Sequence, residues 1–493
     1  MPSSTPLRSL YAFLFLLLPA TSALYAQDGP EHLSPFAHGA GRTYSVSTHG
    51  LDAIGLNPSL LLFGEPKHIE LSLIPITSIG ANIGSTFSSL GAIRSALADS
   101  ALSDTNISAN GVTTRGDSTR QATMNYFRNN GLASNVNARL FGISYIDPEL
   151  GGFALTWDMH VALRASFPDS LFVFLGTNAI SQFLQGRLTP HTVDVQAIWY
   201  SEYTLSWARH LYGNPFSGDL QLLGGVGIKY LAGIEYLRVD PNSDFSVNYP
   251  RQHGGKSSVA ANYLIRFAYP DQFAPKGFPD GFSLSYLTAA TAGSGVGADI
   301  GFTLGAFDSL HHAPWHVALS LTDIGAINWT KHTDTRSAND TISAELKAQS
   351  TDTINSYLKA LGGKLDTADA PFSSKLPTTL HMAGALDLAE IGLVIPACHL
   401  SVATELALGL TDVVGSPNHG RFGFAAMLER PAKGVSFHTA LGFTTQDGLS
   451  DMTFALGFGF GNTFFLDFGT AGMFNLLKSS GYRDGVLSLK LLL

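Results

Sequence analysis

The sequence contains a single cysteine, few charged residues and no long apolar run after Leu18. Cys398 is the only cysteine among the 493 residues, which excludes an intramolecular disulfide. Charged residues make up 14% of the chain, against about 25% in ordinary soluble domains. A membrane-spanning helix needs about 18 apolar residues in a row, and no later stretch approaches that length. We therefore expect the apolar residues to occupy alternate positions.

The sequence also lacks the patterns of nucleic-acid-binding proteins and enzymes. The formal net charge is −9, and no basic stripe is present, so we expect no nucleic-acid partner. Residues 254–258 resemble a phosphate-binding loop, but Pro250 stands where its first glycine is required. Residues 240–251 begin like a calcium loop, yet Phe245 and Arg251 replace its glycine and its glutamate. We predict a non-enzymatic protein without a cofactor or a metal.

The first 26 residues have the pattern of a secretory signal peptide. Arg8 supplies a short basic region, residues 10–18 form an apolar run, and small residues precede a cleavage position after Ala26 or Ala23. The apolar run is too short to span a membrane. The pattern predicts export and removal of residues 1–26.

Residues 153–167 alternate strictly between apolar and more polar side chains. Phe153, Leu155 and Trp157 belong to the apolar set, whereas Asp158 lies in the other set. A period of two is typical of an extended strand, because successive side chains point to opposite faces. One face of this predicted strand is apolar along its whole length, and the other carries an acid, a histidine and an arginine.

The same alternation recurs along most of the chain. In a lipid bilayer every backbone polar group needs a partner, so only helices and closed barrels can span it. Helices are excluded by the absence of apolar runs. The sequence therefore predicts an all-β fold, a transmembrane antiparallel β-barrel of 14 to 16 strands. Bacterial single-chain barrels favour even numbers, and we expect 14.

Two polar stretches, residues 84–135 and 331–377, interrupt the pattern. Each contains a helix-like spacing of apolar residues, as at Ile354, Leu358 and Leu361. Bacterial barrels have short periplasmic turns and long outer loops, so we expect both stretches to be partly helical outer loops. Neither contains enough apolar residues for a separate core.

The polar face of the predicted strands would line the barrel lumen. Two interpretations of its charged residues remain open: they line a passage, or they form a packed salt-bridge lattice around a closed plug. The candidate lumen-lining residues are Asp158, His160, Arg164, Glu202, Lys229, Glu235, Asp299 and Lys490.

Residues 39–65, ahead of the first strand, are rich in turn signals. Asn57 can form an Asx turn, and Pro58 fixes φ for a helical turn. The sequence DAIGLNPSLL around them resembles the "A…NPA-G-L" signature in the N-terminal plug of FadL-type fatty-acid transport barrels. It also resembles the PorV-type barrels associated with type IX secretion. Ser59 and Leu60 replace the alanine and the glycine of that signature.

Further stretches resemble strands of this superfamily, in an order most similar to an uncharacterised family of outer-membrane barrels from Bacteroidota and Chlorobi. They are residues 225–236, 319–329, 376–388 and 464–472.

The resemblance implies a 14-stranded barrel over residues 66–493 with a plug, residues 27–65, inside its lumen. Asp52, Ala53, Asn57 and Pro58 would belong to this plug. In the transport relatives, hydrophobic molecules bind from outside and a shift of the plug opens a route inward. The partners implied are outer-membrane lipid, a hydrophobic small-molecule cargo, the barrel-assembly machinery and secretion-system proteins.

The sequence is compatible with three functions. The first is a channel or transporter for hydrophobic or small organic molecules in the cell outer membrane. The second is a non-transporting barrel that acts as a partner in protein secretion or surface attachment. The third is a soluble exported β-protein such as an adhesin.

Overall fold

The structure is a computed structural model. The residues that it describes are 33–63, 69–72, 78–84, 132–147, 149–166, 191–192, 194–214, 217–240, 244–248, 257–270, 291–307, 313–344, 366–368, 370–417, 420–432, 434–446, 449–461, 463–472 and 483–493. The predicted signal peptide, the helix predicted near residues 354–361 and most of the predicted loop 84–135 lie outside the described residues.

The described strands assemble into fourteen barrel strands, because several consecutive segments continue one another along the same neighbours. They are β1 (Ile69–Ser72 and Ser78–Gly84), β2 (Leu132–Asp147), β3 (Gly151–Ser166), β4 (His191–Thr192 and Asp194–Tyr212), β5 (Leu220–Val239 and Asp244–Asn248), β6 (Ser257–Ala268 and Gly293–Ala306), β7 (Trp315–Trp329 and Asp334–Ala344), β8 (Asp366–Ala368, Phe372–Lys375 and Thr379–Asp387), β9 (His399–Gly409), β10 (Arg421–Arg430), β11 (Val435–Gln446), β12 (Leu449–Phe460), β13 (Phe464–Thr470) and β14 (Arg483–Leu492).

Hydrogen bonds close these strands into a ring. Each strand pairs antiparallel with its neighbours in sequence, and the last strand pairs with the first through Leu491 opposite Leu71 and Ser488 opposite Ser78. The predicted closed antiparallel barrel of 14 strands is thereby confirmed.

The alternation of side chains explains how the wall is formed. In β3, Phe153 and Leu155 are exposed on the outside, whereas Thr156 and Asp158 are buried on the inside. On other strands Leu205 and Ile228 are 60% and 65% exposed. An outward apolar band with a polar interior is the pattern of transmembrane barrels. Within the described ranges, no helix has the length and apolar character that a membrane crossing requires.

The connections differ in length between the two ends of the ring. At one end, β2 joins β3, and β10 joins β11, across a few residues, and the chain terminus Leu493 lies at the same end. At the other end, residues 85–131, 167–190 and 345–365 connect successive strands. We call these the short-turn end and the long-loop end. In bacterial barrels, short turns face the periplasm.

The predicted loop 331–377 was wrong in part. Residues Asp334–Ala344 form a strand that pairs with Ser257–Ala268. Phe372–Lys375 pairs with residues 326–329 of β7. The sequences of these strands are polar at most positions. Their sequence therefore lacks the alternation that identified the other strands.

Residues 33–63, the N-terminal segment, lie within the ring. The segment consists of four short helical turns, α1 (Pro35–Gly39), α2 (Tyr44–Ser47) and the 3-10 turns η1 (Gly50–Ala53) and η2 (Pro58–Leu62). Turn α1 contacts β11–β14, α2 contacts β7–β9, η1 contacts β1 and β2, and η2 contacts β3–β6. Since these strands lie on all sides of the ring, the segment occupies the space that they enclose.

Candidate functional site

Asn57 and Pro58 begin turn η2, and Asn57 joins it to the wall. Asn57 is fully buried, and its Oδ1 accepts hydrogen bonds from the backbone N (3.2 Å) and the hydroxyl (2.6 Å) of Ser59. Its Nδ2 donates to the carbonyl oxygen of Ser45 (3.1 Å) and to Oγ1 of Thr303 on β6 (3.0 Å). The side chain thus fixes the turn, connects it to α2 and attaches it to the barrel.

Two wall glycines permit this close approach. A Cβ atom built on Gly301 would collide with Oδ1 of Asn57, and one built on Gly225 would collide with the backbone of Pro58. Glycine is required at both positions because the backbone of the segment approaches the backbone of the wall.

Charged side chains hold turn η1 at β1, β2 and β14. Asp52 forms an ion pair with Nζ of Lys490, which also lies 3.8 Å from a carboxylate oxygen of Asp467. Arg139 donates to the carbonyl oxygen of Leu51 (2.7 Å). These side chains are almost fully buried, so each charge depends on its partner for stabilisation. Ala53 is fully buried in the same turn.

A second group of charges holds turn α1. His38 Nε2 lies 2.8 Å and Arg42 Nη2 lies 3.1 Å from the same carboxylate oxygen of Asp484 on β14. His38 Nδ1 lies 2.6 Å from the hydroxyl oxygen of Tyr44. Burial lowers the pKa of His38, and the nearby Asp484 carboxylate opposes this shift.

Turn α2 is held by Glu405 on β9. One oxygen of this carboxylate accepts from the backbone N of Ser45 (2.7 Å). The other lies 2.8 Å from Nδ1 of His381 and 3.2 Å from Nη2 of Arg421. The guanidinium of Arg421 stacks over the ring of Tyr44 at 5.0 Å from its centroid. Sequence reasoning missed these residues, because no local pattern connects residue 45 with residue 405.

Three of the predicted lumen-lining residues meet in a buried cluster. Lys229 Nζ lies 3.1 Å from Glu202 and 3.0 Å from Asp299, and it also forms an ion pair with Asp323. The alternation of β7 would point Asp323 outward. A register shift opposite Asp299 and a φ of +55° turn it inward instead, as β-bulges commonly do. The cluster therefore holds three carboxylates around one ammonium group.

Other predicted lining residues lie beside this cluster. Asp158 receives two hydrogen bonds from Arg139, at 2.8 and 3.0 Å. His160 stacks on the ring of Tyr200 at 4.8 Å between centroids. Arg164 lies nearer the long-loop end, 3.2 Å from Asp194.

Glu235 is the one predicted lining residue that the structure places on the other face. It pairs with Trp199, whereas Tyr200 pairs with Gly233, so β5 contains one additional residue at Ile234. The buried neighbours Ile198 and Tyr200 face the lumen, and Trp199 with its partner Glu235 faces outward. The prediction for Glu235 was wrong because a bulge reverses the alternation that placed Lys229 correctly.

Two cavities flank the N-terminal segment. The long-loop cavity, about 60 Å³, lies on the side of the long loops. It is lined by Lys229, Glu202 and Asp323 of the charged cluster, and by Arg139, His160 and Ile54. The short-turn cavity, about 180 Å³, lies on the side of the short turns, and its lining includes Phe36, Phe63 and His316. In the described residues no group of three or more His, Cys, Asp or Glu side chains is placed to hold a metal ion.

Residues 410–417, after β9, close the long-loop cavity. Val413 and Val414 are buried, and the backbone N of Val414 donates to Oε1 of Gln196 on β4 (2.9 Å). Asp412 lies 3.3 Å from Arg164 on β3. This loop therefore reaches from β9 to strands on a distant part of the ring.

The geometry defines a transmembrane β-barrel with an N-terminal segment lodged in its lumen. The chain belongs to the family of unknown function DUF5723, whose model matches residues 69–479. A search of the curated proteins finds no match.

Solved barrels are similar in architecture at low sequence identity. The toluene transporter TodX of Pseudomonas putida is 8% identical, with a TM-score of 0.37 over 96% of this chain and 98% of that one. The TodX deltaS2S3 mutant monoaromatic hydrocarbon channel is 7% identical, with a TM-score of 0.41 over 92% and 97%. A FadL homologue from Pseudomonas aeruginosa is 11% identical, with a TM-score of 0.25 over 94% and 99%.

Proposed function

We propose that this protein is an outer-membrane channel for hydrophobic or small organic molecules, in which the N-terminal segment is a movable plug. The observation that carries the proposal is the position of residues 33–63, which contact strands on all sides of the ring and separate two cavities. A solute that crosses the barrel has to displace this segment.

The way in which the segment is held favours a plug over an ordinary core. Asn57, Asp52 and His38 each attach one turn of the segment to the wall through side-chain contacts. No strand of the barrel includes residues 33–63. The segment can therefore leave its place without breaking the hydrogen bonds that close the ring. The two interpretations of the lumen charges then describe two states of the same barrel. The salt-bridge lattice corresponds to the closed state, and the passage corresponds to the open state.

The hydroxyl groups of Ser59 and Thr303 provide a direct test, because their oxygens lie 2.7 Å apart. Ser59→Cys and Thr303→Cys, in a Cys398→Ser background, would join the segment to β6 through a disulfide. We expect toluene flux into liposomes to stop when this bond forms and to return on reduction. The two single-cysteine variants serve as controls, and deletion of residues 33–63 should raise the flux. Impermeability of both the intact and the deleted protein would contradict the proposal.

A second candidate function rests on the turn between β8 and β9. Ile391, Leu393 and Val394 are 52%, 52% and 70% exposed at the short-turn end. An exposed apolar turn is typical of a contact surface, which suits a barrel that binds secretion or surface-attachment proteins. We expect such a partner to co-purify with the protein and to be lost in Val394→Asp. Retention of the same proteins by that variant would argue against this function.

A further inference from the structure

The charged cluster beside the long-loop cavity contains more negative than positive charge. Lys229 Nζ lies 3.1 Å from Glu202 and 3.0 Å from Asp299, and Asp323 is its third partner. One ammonium group and three carboxylates give the cluster a formal charge of −2. All four residues are buried. Excess charge in a barrel interior needs a counter-charge, which is either a proton or a cation.

The neighbouring basic residues do not supply this counter-charge. Arg139 is bound to Asp158 through two hydrogen bonds, so this pair is neutral. His160 Nε2 lies 3.9 Å from Glu202, beyond hydrogen-bond distance. Even a protonated His160 would leave one negative charge in excess. Lys375 also lines the long-loop cavity, but it is exposed, so solvent and salt screen its charge.

Two carboxylate oxygens of the cluster are free to contact a ligand in the cavity. Lys229 contacts Oε1 of Glu202 and Oδ1 of Asp323. Among the described residues, Oε2 of Glu202 and Oδ2 of Asp323 have no hydrogen-bond partner. Both residues line the long-loop cavity, whereas Oδ2 of Asp299 is fully enclosed.

The hydroxyl group of Tyr200 adds a third oxygen to this site. Tyr200 is only 5% exposed and lines the same cavity. Its hydroxyl group faces the charged cluster, and no hydrogen-bond partner for it is present in the part of the chain that the structure describes. A buried hydroxyl group is costly without a partner, so this group indicates a ligand independently of the carboxylates.

The three oxygens favour a ligand that donates hydrogen bonds and carries positive charge. An ionised carboxylate only accepts hydrogen bonds, and a hydroxyl oxygen can accept one as well. A primary ammonium group has three N–H donors, which match the three oxygens, and its charge offsets part of the excess negative charge. A metal ion fits less well, because no three His, Cys, Asp or Glu side chains of the described residues are placed to hold one.

The volume of the cavity limits the size of the ligand. The cavity measures about 60 Å³, and one water molecule requires about 10–15 Å³. The space therefore suits a molecule of about four to six non-hydrogen atoms. An ammonium group on a short alkyl chain has this size.

We infer that the long-loop cavity binds a small primary alkylammonium ion, whose ammonium group donates to Glu202, Asp323 and Tyr200. The cavity lies on the long-loop side of the N-terminal segment. As the first binding site on a transport route, it rests on the proposed channel function. Its ability to bind the cation does not depend on transport.

Binding of propylammonium to the full-length protein in phosphatidylcholine nanodiscs tests the site, with empty nanodiscs subtracted. Equilibrium dialysis of the radiolabelled ion at neutral pH measures the affinity. Propanol and propionate are matched probes, because they have a similar size but are neutral and negatively charged, respectively. We expect saturable binding of one propylammonium ion per protein and no binding of propanol or propionate.

Two variants of nearly unchanged shape make the test specific. Tyr200→Phe removes only the hydroxyl oxygen, and Asp323→Asn removes one negative charge while Lys229 keeps two carboxylates. Asn tolerates the φ of +55° at position 323. Hydrogen bonds with a charged group are among the stronger ones, so we expect each variant to weaken propylammonium binding by about tenfold.

Asp219→Asn is the control variant. Asp219 is exposed at the short-turn end, so its replacement removes the same charge without a change at the cavity. We expect unchanged binding of propylammonium. Heat-modifiable gel migration establishes that each variant is folded.

Three results would overturn the inference: propylammonium does not bind to the unaltered protein, propanol binds as tightly as propylammonium, or either Tyr200→Phe or Asp323→Asn keeps the full affinity. Toluene flux into liposomes is measured for the intact protein and for the protein without residues 33–63. Propylammonium binding without flux through either protein would contradict the channel proposal and support the site. Flux without propylammonium binding would do the reverse.

Discussion

Removal of the Lys490 ammonium group should loosen turn η1, which the hydrogen bonds of Leu51 with Arg139 and Glu70 also hold at the barrel wall. Lys490 pairs with Asp52 of the segment and lies 3.8 Å from Asp467 of the wall. The side chains of Lys490 and Asp52 are only 10% and 8% exposed. Loss of one partner from a buried ion pair costs about 3–5 kcal/mol, because the remaining charge is uncompensated.

Lys490 and Asp52 differ in the contacts that remain when the other partner is removed. Lys490→Met leaves Asp52 without its cation, whereas Asp52→Asn leaves Lys490 with Asp467. We therefore expect a larger effect from Lys490→Met than from Asp52→Asn. The double variant, which removes both charges, should cost less than the sum of the single variants.

Hydrogen exchange of residues 50–54 in nanodiscs measures this effect directly. If about 3 kcal/mol of attachment is lost, the open population rises by about 100-fold, and amide protection in η1 falls accordingly. Protection of the barrel strands should stay constant. Unchanged exchange at 50–54 in Lys490→Met would refute the view that this ion pair holds the segment in place.

Three further predictions concern other buried polar contacts of the segment and of the barrel wall. Asn57→Ala removes both wall and turn contacts and should destabilise the attachment of η2 by about 1–3 kcal/mol, measured by exchange of residues 57–63. Lys229→Met leaves three buried carboxylates together and should lower the free energy of unfolding in urea by at least 3 kcal/mol, whereas Lys229→Arg should cost less. The lowered pKa of His38 means that the released segment binds protons more strongly than the bound one, so attachment of α1 should weaken as pH falls below about 6.5; exchange of residues 35–39 between pH 8 and 5 checks this sign.

The barrel itself was predictable because lipid imposes a simple rule on each strand. An outward apolar side chain and an inward polar one must alternate, and β3 follows that rule over its whole length. The rule fails where the backbone bulges. At Ile234 and at Asp323 an additional residue in the strand changes the direction in which side chains point. The amino-acid sequence does not distinguish such a bulge from regular alternation.

The attachment of the segment was predictable only in its local part. Asn57 and Pro58 indicated a turn, because the Asx turn and the proline that fixes φ depend only on adjacent residues. The wall residues that contact this turn could not be predicted from the sequence. His38 contacts Asp484, which lies 446 positions further along the sequence. Glycines such as Gly301 cannot be distinguished from ordinary strand residues in the sequence, because their role depends on contact with the segment.

The segment is held unequally around the ring, and this difference predicts the route of an apolar solute. Turns α1, α2 and η1 are attached by buried charges, which no apolar molecule can replace, in addition to apolar contacts such as those of Phe36 and Val46. Turn η2 packs Leu61 and Leu62 against Ala208 and Leu223 of the wall in an apolar cluster. An apolar solute can exchange for such contacts at little net cost, so it should pass between η2 and strands β3–β5, away from the hydrogen bonds that join Asn57 and Ser59 to Thr303 of β6.

Two matched substitutions test this route, because Ala208 and Ala425 are both fully buried in the wall on different sides of the segment. Ala208→Leu fills the apolar seam beside η2 and should reduce toluene flux several-fold. Ala425→Leu adds the same volume beside α1 and α2, where charges hold the segment, and should not reduce flux. Equal reduction by both variants would mean that the solute does not distinguish the two sides, and that the charged attachments do not direct its path.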